Sequence, residues 1–143
     1  MPVIDRMRAL AEAKGQTLEV DIPPSLPSVA IDAHRIGQVV SNLVSNAIKF
    51  TPQEGTIRVS ARQRDHKIVV SVADTGPGIG SQDTERIFNP LFTTKSDGMG
   101  MGLPICRAII EAHEGRLWVT PNTPEGAVFQ FTLRANSRVL AVA

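Results

Sequence analysis

Three stretches of this sequence hold residues that could do chemistry, and one of them is GMGMGLPICRAII at residues 98–110. Gly98, Gly100 and Gly102 recur at every second position, and without a Cβ the backbone there can take positive φ and bring several N–H groups up to a bulky anion. The spacing predicts a helix over 103–113, whose start adds unpaired N–H donors and a positive dipole end that suit a phosphate. Pro104 fits the first turn of that helix, where its missing N–H has no consequence. Ile105, Ala108, Ile109 and Ala112 recur at three- and four-residue steps and are expected to anchor it on a core. A flexible loop without chemistry would carry the same glycines. The dinucleotide fingerprint does not match, because the spacing is G-x-G-x-G and FNPLFTTKSD before it does not alternate. Nor does the P-loop, because no Gly-Lys-Ser/Thr closes the segment.

The second stretch lies on a predicted helix. Gln38, Asn42, Asn46 and Lys49 follow one another at steps of four, four and three, which at about 100° per residue places them on one ridge. Asparagine is a mediocre helix former, so two on one mid-helix ridge suggest a site, against the plainer reading of a solvated face. The third is DTGPGIG at 74–80, a carboxylate followed by three glycines around Pro77. Such a backbone can wrap a flat ligand, and it can also be an ordinary turn.

These residues need elements to hold them. Asp32 is a good N-cap for a helix reaching Phe50, where Pro52 stops it, and Ile36, Val39, Val40, Leu43, Val44, Ala47 and Ile48 form its apolar face. Thr56–Arg62 and Lys67–Ala73 read as a hairpin turning at Asp65-His66, with Asp74 at the exit of its second strand. Thr17–Ile22 before Pro23-Pro24, Arg116–Thr120 and Ala127–Leu133 read as further strands, the last two joined by a turn at 121–126. Residues 3–14 have helical spacing at Ile4, Met7, Leu10 and Ala11 and end at Gly15, like the tail of a helix arriving from elsewhere. Val29–Ile31 is a short apolar piece, 83–87 a short helix, and 135–143 a frayed tail. Phe88 and Phe92 sit in an aperiodic segment between glycine-rich hinges, so 81–97 reads as a lid.

With 143 residues, 42% of them hydrophobic, the chain can build one core without staples. Fifteen basic against fourteen acidic residues imply neither a nucleic-acid patch nor a charge field for membranes. The one cysteine, Cys106, has no partner for an internal disulfide and reads as a small core residue of a reducing, cytoplasmic compartment. No leader pattern and no apolar run near 18 residues is present, so membrane contact by this segment is not expected, although a parent protein could be anchored.

Four blocks in fixed order resemble a known family. NLVSNAIKF (42–50), DTGPGIG (74–80), IFNPLFTTK (87–95) and GMGMGL (98–103) are similar to the N, G1, F and G2 boxes of the catalytic, ATP-binding domain of sensor histidine kinases. The likeness runs from about Thr17 to Leu133 and looks greatest to soluble-type kinases around the rhizobial oxygen sensors. It implies the Bergerat fold, a two-layer α/β sandwich in which helices cover one face of a mixed, mostly antiparallel sheet. It also implies ATP and Mg²⁺ as ligands. Asn46 would coordinate Mg²⁺ bridging the phosphates, Asn42 would lie beside the triphosphate, Lys49 would neutralise it, and Phe50 would pack near the nucleoside. Asp74 would accept from the adenine amino group, while Gly76, Gly78 and Ile79 would pass close to the base. Gly98, Met99, Gly100, Met101, Gly102 and Leu103 would border the phosphates, and Phe88, Phe92, Thr94 and Lys95 would belong to the lid. Asn89 and Pro104 depart from the family's usual residues.

The same resemblance implies a phosphoacceptor histidine on a separate dimerisation domain of the parent protein, and a downstream response regulator. In kinases of that family the acceptor is a histidine followed by Glu or Asp, with a proline four residues after the acid, and His34 and His66 lack that context. His113-Glu114 is followed by Gly115 and no proline until Pro121. The chain is therefore expected to be a monomeric catalytic domain over 16–134, with 1–15 the end of the preceding dimerisation helix. Rivals on the same fold are a gyrase- or chaperone-type ATPase, an anti-sigma-factor serine kinase, and a binding module without catalysis. The two enzyme rivals normally carry a glutamate where this chain has Asn42.

Overall fold

Strand residues alternate between apolar and polar, and the register of pairing gathers the apolar sets onto one sheet face. The computed structural model describes residues 2–23, 32–77, 99–123 and 125–134. The elements run α1 (Pro2–Ala13), β1 (Thr17–Asp21), α2 (Ala33–Phe50), β2 (Thr56–Arg64), β3 (Lys67–Asp74), α3 (Met99–Ala112), β4 (Leu117–Pro121) and β5 (Ala127–Arg134). The strands form one sheet in the order β1-β2-β3-β5-β4, with β1 parallel to β2 and every other pair antiparallel. This is the expected mixed α/β architecture.

Ile57 opposite Asp74, Val59 opposite Val72 and Val72 opposite Phe129 show how one face is assembled. Phe131, Ile57, Val59 and Val72 are fully enclosed there, and α2 and α3 cover them with Val39, Leu43, Val44, Leu103, Cys106 and Ile110. The opposite face is polar, with Gln130 donating to Ser71 Oγ at 3.0 Å and the Arg116 guanidinium 5.5 Å from the Trp118 ring centre.

Helix α2 forms as its sequence dictates. Asp32 caps it by accepting from the N–H groups of His34 (3.1 Å) and Arg35 (3.2 Å). Ile36, Val39, Leu43, Val44 and Ala47 are buried, with Val40 and Ile48 packed beside them. Helix α1 closes on Gly15 at φ +78, where Gln16 N–H bonds to Ala11 O and Gly15 N–H to Glu12 O. That crossed pair is the Schellman arrangement, which favours glycine in the left-handed position. Met7 and Ala11 of α1 are buried in the common core, so this helix packs on α2 and β1.

Helix α3 departs from expectation in two ways. It begins at Met99, so Gly100 and Gly102 lie in its first turn, and Pro104 sits inside the helix, where the ladder bond to the Gly100 carbonyl is lost. Each helical glycine costs roughly 1 kcal/mol, and against that Leu103 at the start of α3 is fully buried. Its buried side is Leu103, Cys106, Ile109 and Ile110, whereas Ile105 is 57% exposed and Ala108 and Ala112 lie at the surface. Apolar residues occur on both sides of this helix, so periodicity alone could not choose between them.

The expected short apolar piece at 29–31, helix at 83–87, lid at 81–97 and tail at 135–143 lie outside the described residues. Among the described residues no helix is long and apolar enough to cross a membrane.

Candidate functional site

Asp74 is the last residue of β3 and points to the helix side of the sheet, where it is only 8% exposed. Its Oδ1 accepts from the N–H groups of Gly76 (2.9 Å) and Ala127 (3.3 Å). Burial pushes the carboxyl above the ordinary value of 3.8, and the two backbone donors pull part of that back. Asn122 Nδ2 donates to the Asp74 carbonyl at 2.8 Å. Two glycines let backbone crowd this residue. A Cβ on Gly126, which has φ +110, would lie 1.9 Å from the Asp74 carbonyl oxygen. A Cβ on Gly76 would lie 2.9 Å from the Phe50 carbonyl oxygen and 3.2 Å from Asp74 Oδ1. A carboxylate fixed by the main chain of two segments has one orientation to offer a ligand.

The Phe50 carbonyl brings the end of α2 against this turn. Along α2, Asn42 and Asn46 are half-buried and Gln38 and Lys49 exposed, as the ridge requires. Asn42 Nδ2 donates to the buried thiol of Cys106 at 3.5 Å, so the ridge also touches α3. Burial raises the Cys106 thiol, with the Asn42 contact acting against it. The Lys49 ammonium is 5.6 Å from the Phe50 ring centre. The structure thus brings Asp74 and Gly76 together with the end of the α2 ridge.

Other expected site residues fall differently. Leu103 is fully enclosed in the core, so its side chain faces inward rather than toward a ligand. Met99, Gly100, Met101 and Gly102 enter as the first turns of α3. Gly78, Ile79, Phe88, Phe92, Thr94, Lys95 and Gly98 lie outside the described residues. His113 has both ring nitrogens engaged, Nδ1 with Ile109 O at 2.9 Å and Nε2 with the Asp32 N–H at 3.1 Å. An imidazole engaged on both sides is a structural tie between α3 and the cap of α2.

Asn122, Gly126 and the Ala127 N–H support Asp74, whereas the sequence marks them only as a turn and a strand start. PNTPEG does carry turn residues, yet nothing local says that the turn packs behind a carboxylate far away in the chain.

The donor set fits a nucleotide with a hard cation. Asn46 offers a neutral amide oxygen, Lys49 a cation, and the Gly76 turn a cradle that any Cβ would fill. Among the described residues no group of three His, Cys, Asp or Glu side chains could hold a metal by itself.

Comparison with known proteins bears on this arrangement directly. Residues 31–137 match the family of histidine kinase-, DNA gyrase B- and HSP90-like ATPases, and the chain belongs to it. It is 44% identical over 138 residues to the adaptive-response sensory kinase SasA of Gloeothece citriformis, covering 93% of this chain and 35% of that protein. Among solved structures, the nucleotide-free catalytic domain of histidine kinase ThkA superposes with a TM-score of 0.81 at 37% identity, covering 94% of this chain and 91% of that one. A second structure holds ThkA in complex with response regulator protein TrrA (TM-score 0.77, 34% identity, 96% of this chain and 40% of that one). Full-length ShkA in complex with AMPPNP gives a TM-score of 0.84 at 32% identity, covering 94% of this chain and 29% of that one. The chain spans about a third of the length of the curated relatives it matches.

Proposed function

We propose that this chain is the ATP-Mg²⁺-binding catalytic domain of a two-component sensor histidine kinase, passing the γ-phosphate of ATP to a histidine on a separate dimerisation domain of the same parent protein. The observation that carries the reading is the buried, main-chain-fixed Asp74 at one end of a helix ridge bearing Asn42, Asn46 and Lys49. An acceptor held in that way selects a donor such as the adenine amino group. Phe50 and Gly76 flank the base, the ridge meets the triphosphate, and residues 98–102 border it at the start of α3. Phe88, Phe92, Thr94 and Lys95 are assigned to the lid by the resemblance alone. AMPPNP, an ATP analogue, is bound in the ShkA structure, a relative at 32% identity, which supports ATP as the nucleotide.

Bound Mg²⁺ supplies charge neutralisation across the phosphates, and the protein supplies position. Asn46 would give the metal one oxygen. Lys49 would face the charge that develops as the phosphoryl group leaves. Asn42 decides the reaction type, because an amide accepts no proton from water near neutral pH. Hydrolysis is thereby disfavoured, whereas transfer to an arriving histidine nitrogen needs no base on this chain. The response regulator follows downstream, as the ThkA–TrrA complex supports. The domain alone is monomeric and cytoplasmic.

Asn46 gives the test. Asn46→Asp should change the Mg²⁺ concentration that half-saturates nucleotide binding and leave the preference for ATP over GTP intact, read by calorimetry at varied Mg²⁺. A variant that loses base preference and keeps its metal response would remove Asn46 from the metal site.

A further inference from the structure

The last carbonyls of any α-helix lack partners within it and carry the negative end of its dipole. In α2 those carbonyls belong to the turn with Lys49 and Phe50, and two side chains from the α1–β1 connection take them up. Lys14 Nζ donates to Ile48 O (2.7 Å) and to Lys49 O (2.9 Å). Gln16, only 4% exposed, donates through Nε2 to Ile48 O (2.9 Å) and Thr51 O (2.5 Å). The neighbouring main chain is stitched as well, with Glu54 N–H to Gly15 O at 2.8 Å and Thr17 N–H to Gly55 O at 3.0 Å. The Phe50 carbonyl, left between these contacts, abuts Gly76 and so the turn that orients Asp74.

We infer that Lys14 and Gln16 are positioning residues for the nucleotide site, a latch through which the placement of α1 sets nucleotide affinity. The inference rests on the ATP-binding reading above. Helix α1 is tied into the core by Met7 and Ala11, so a shift of α1 moves the connection that carries the latch. Four hydrogen bonds pass that displacement to the turn of α2 holding Lys49 and Phe50, and from there to Gly76. Neither Lys14 nor Gln16 touches the ligand in this scheme.

The test uses the whole chain. In Lys14→Met with Gln16→Met, side chains of similar length remove the donors, and the buried Gln16 Oε1, which has no hydrogen-bond partner among the described residues, is removed with them. Calorimetric titration with a non-hydrolysable ATP analogue and Mg²⁺ should show about tenfold weaker binding, the usual size of a coupling between sites. Amide exchange should quicken at residues 47–51 while β3 is unchanged. Lys14→Arg keeps the charge and should bind nearly as the wild type does. Should the double variant not fold, Lys14→Met alone, at an exposed side chain, gives the same readouts with a smaller shift. Unchanged nucleotide affinity, whatever the melting temperature, overturns the latch. A wild-type chain that binds no nucleotide overturns the reading of the site, and the latch with it.

Discussion

Asp74→Asn should leave the domain folded and weaken ATP binding by about 10- to 150-fold, the equivalent of roughly 1.5–3 kcal/mol for a hydrogen bond to a charged acceptor. The fold survives because an asparagine Oδ1 can still accept from the Gly76 and Ala127 N–H groups. The sign of the pH effect supports the same conclusion. Burial raises the folded-state pKa of Asp74 above its ordinary 3.8, so the folded chain holds the proton more tightly than the unfolded one. As pH rises through the window from that ordinary value to the raised one, the ionised carboxylate becomes a growing cost to folding. Near neutrality the asparagine variant should therefore be at least as stable as the wild type, and its stability should depend less on pH across that window. Thermal melts at stepped pH, paired with ATP calorimetry at neutral pH, separate the two effects. Undiminished affinity in a folded variant would remove Asp74 from the base site.

Gly126→Ala should do the reverse and damage fold and site together. The position has φ +110, outside the range that a residue with a Cβ readily adopts, and the added methyl would stand 1.9 Å from the Asp74 carbonyl oxygen. Backbone strain of this type is worth about 1–3 kcal/mol before any steric overlap. A total loss of about 3 kcal/mol or more in urea unfolding is expected, at or beyond the upper end of what single substitutions usually cost. Relief by movement would push back the end of β3, so ATP affinity should fall as well. A loss within about 0.5 kcal/mol, the range of an ordinary surface change, would show that the 121–126 turn does not press on Asp74.

Much of this was legible in the sequence wherever the signal was local and periodic. Asp32 announces the start of α2, the spacing from Ile36 to Ile48 gives its buried side, and Asp65-His66 marks the hairpin that ends at Asp74. The boxes at 42–50 and 74–80 mark residues that the structure brings together at the end of α2 and the exit of β3. Helix α3 was harder, because Ile105 and Ala108 are as apolar as Cys106 and Ile110, and only the neighbouring sheet decides which side is covered. The supports of the site were not legible at all. Ala127 reaches Asp74 across 53 residues, and Lys14 reaches Lys49 across 35. Contacts of that kind leave no period and no motif. Lys14 looks like any cation near a helix end, and Gln16 like any polar residue before a strand.

Phosphoryl transfer from ATP to a histidine on a separate dimerisation domain is decided by γ-labelled ATP. The chain should be incubated with the label and Mg²⁺, alone and then with the dimerisation domain of the parent kinase. Alone, it should release phosphate very slowly and remain unlabelled. With the partner added, label should appear on that domain in the acid-labile, base-stable form of phosphohistidine. Rapid phosphate release by the chain alone, or acid-stable phosphoserine on the partner, would contradict the account and favour an ATPase or a serine kinase on the same fold.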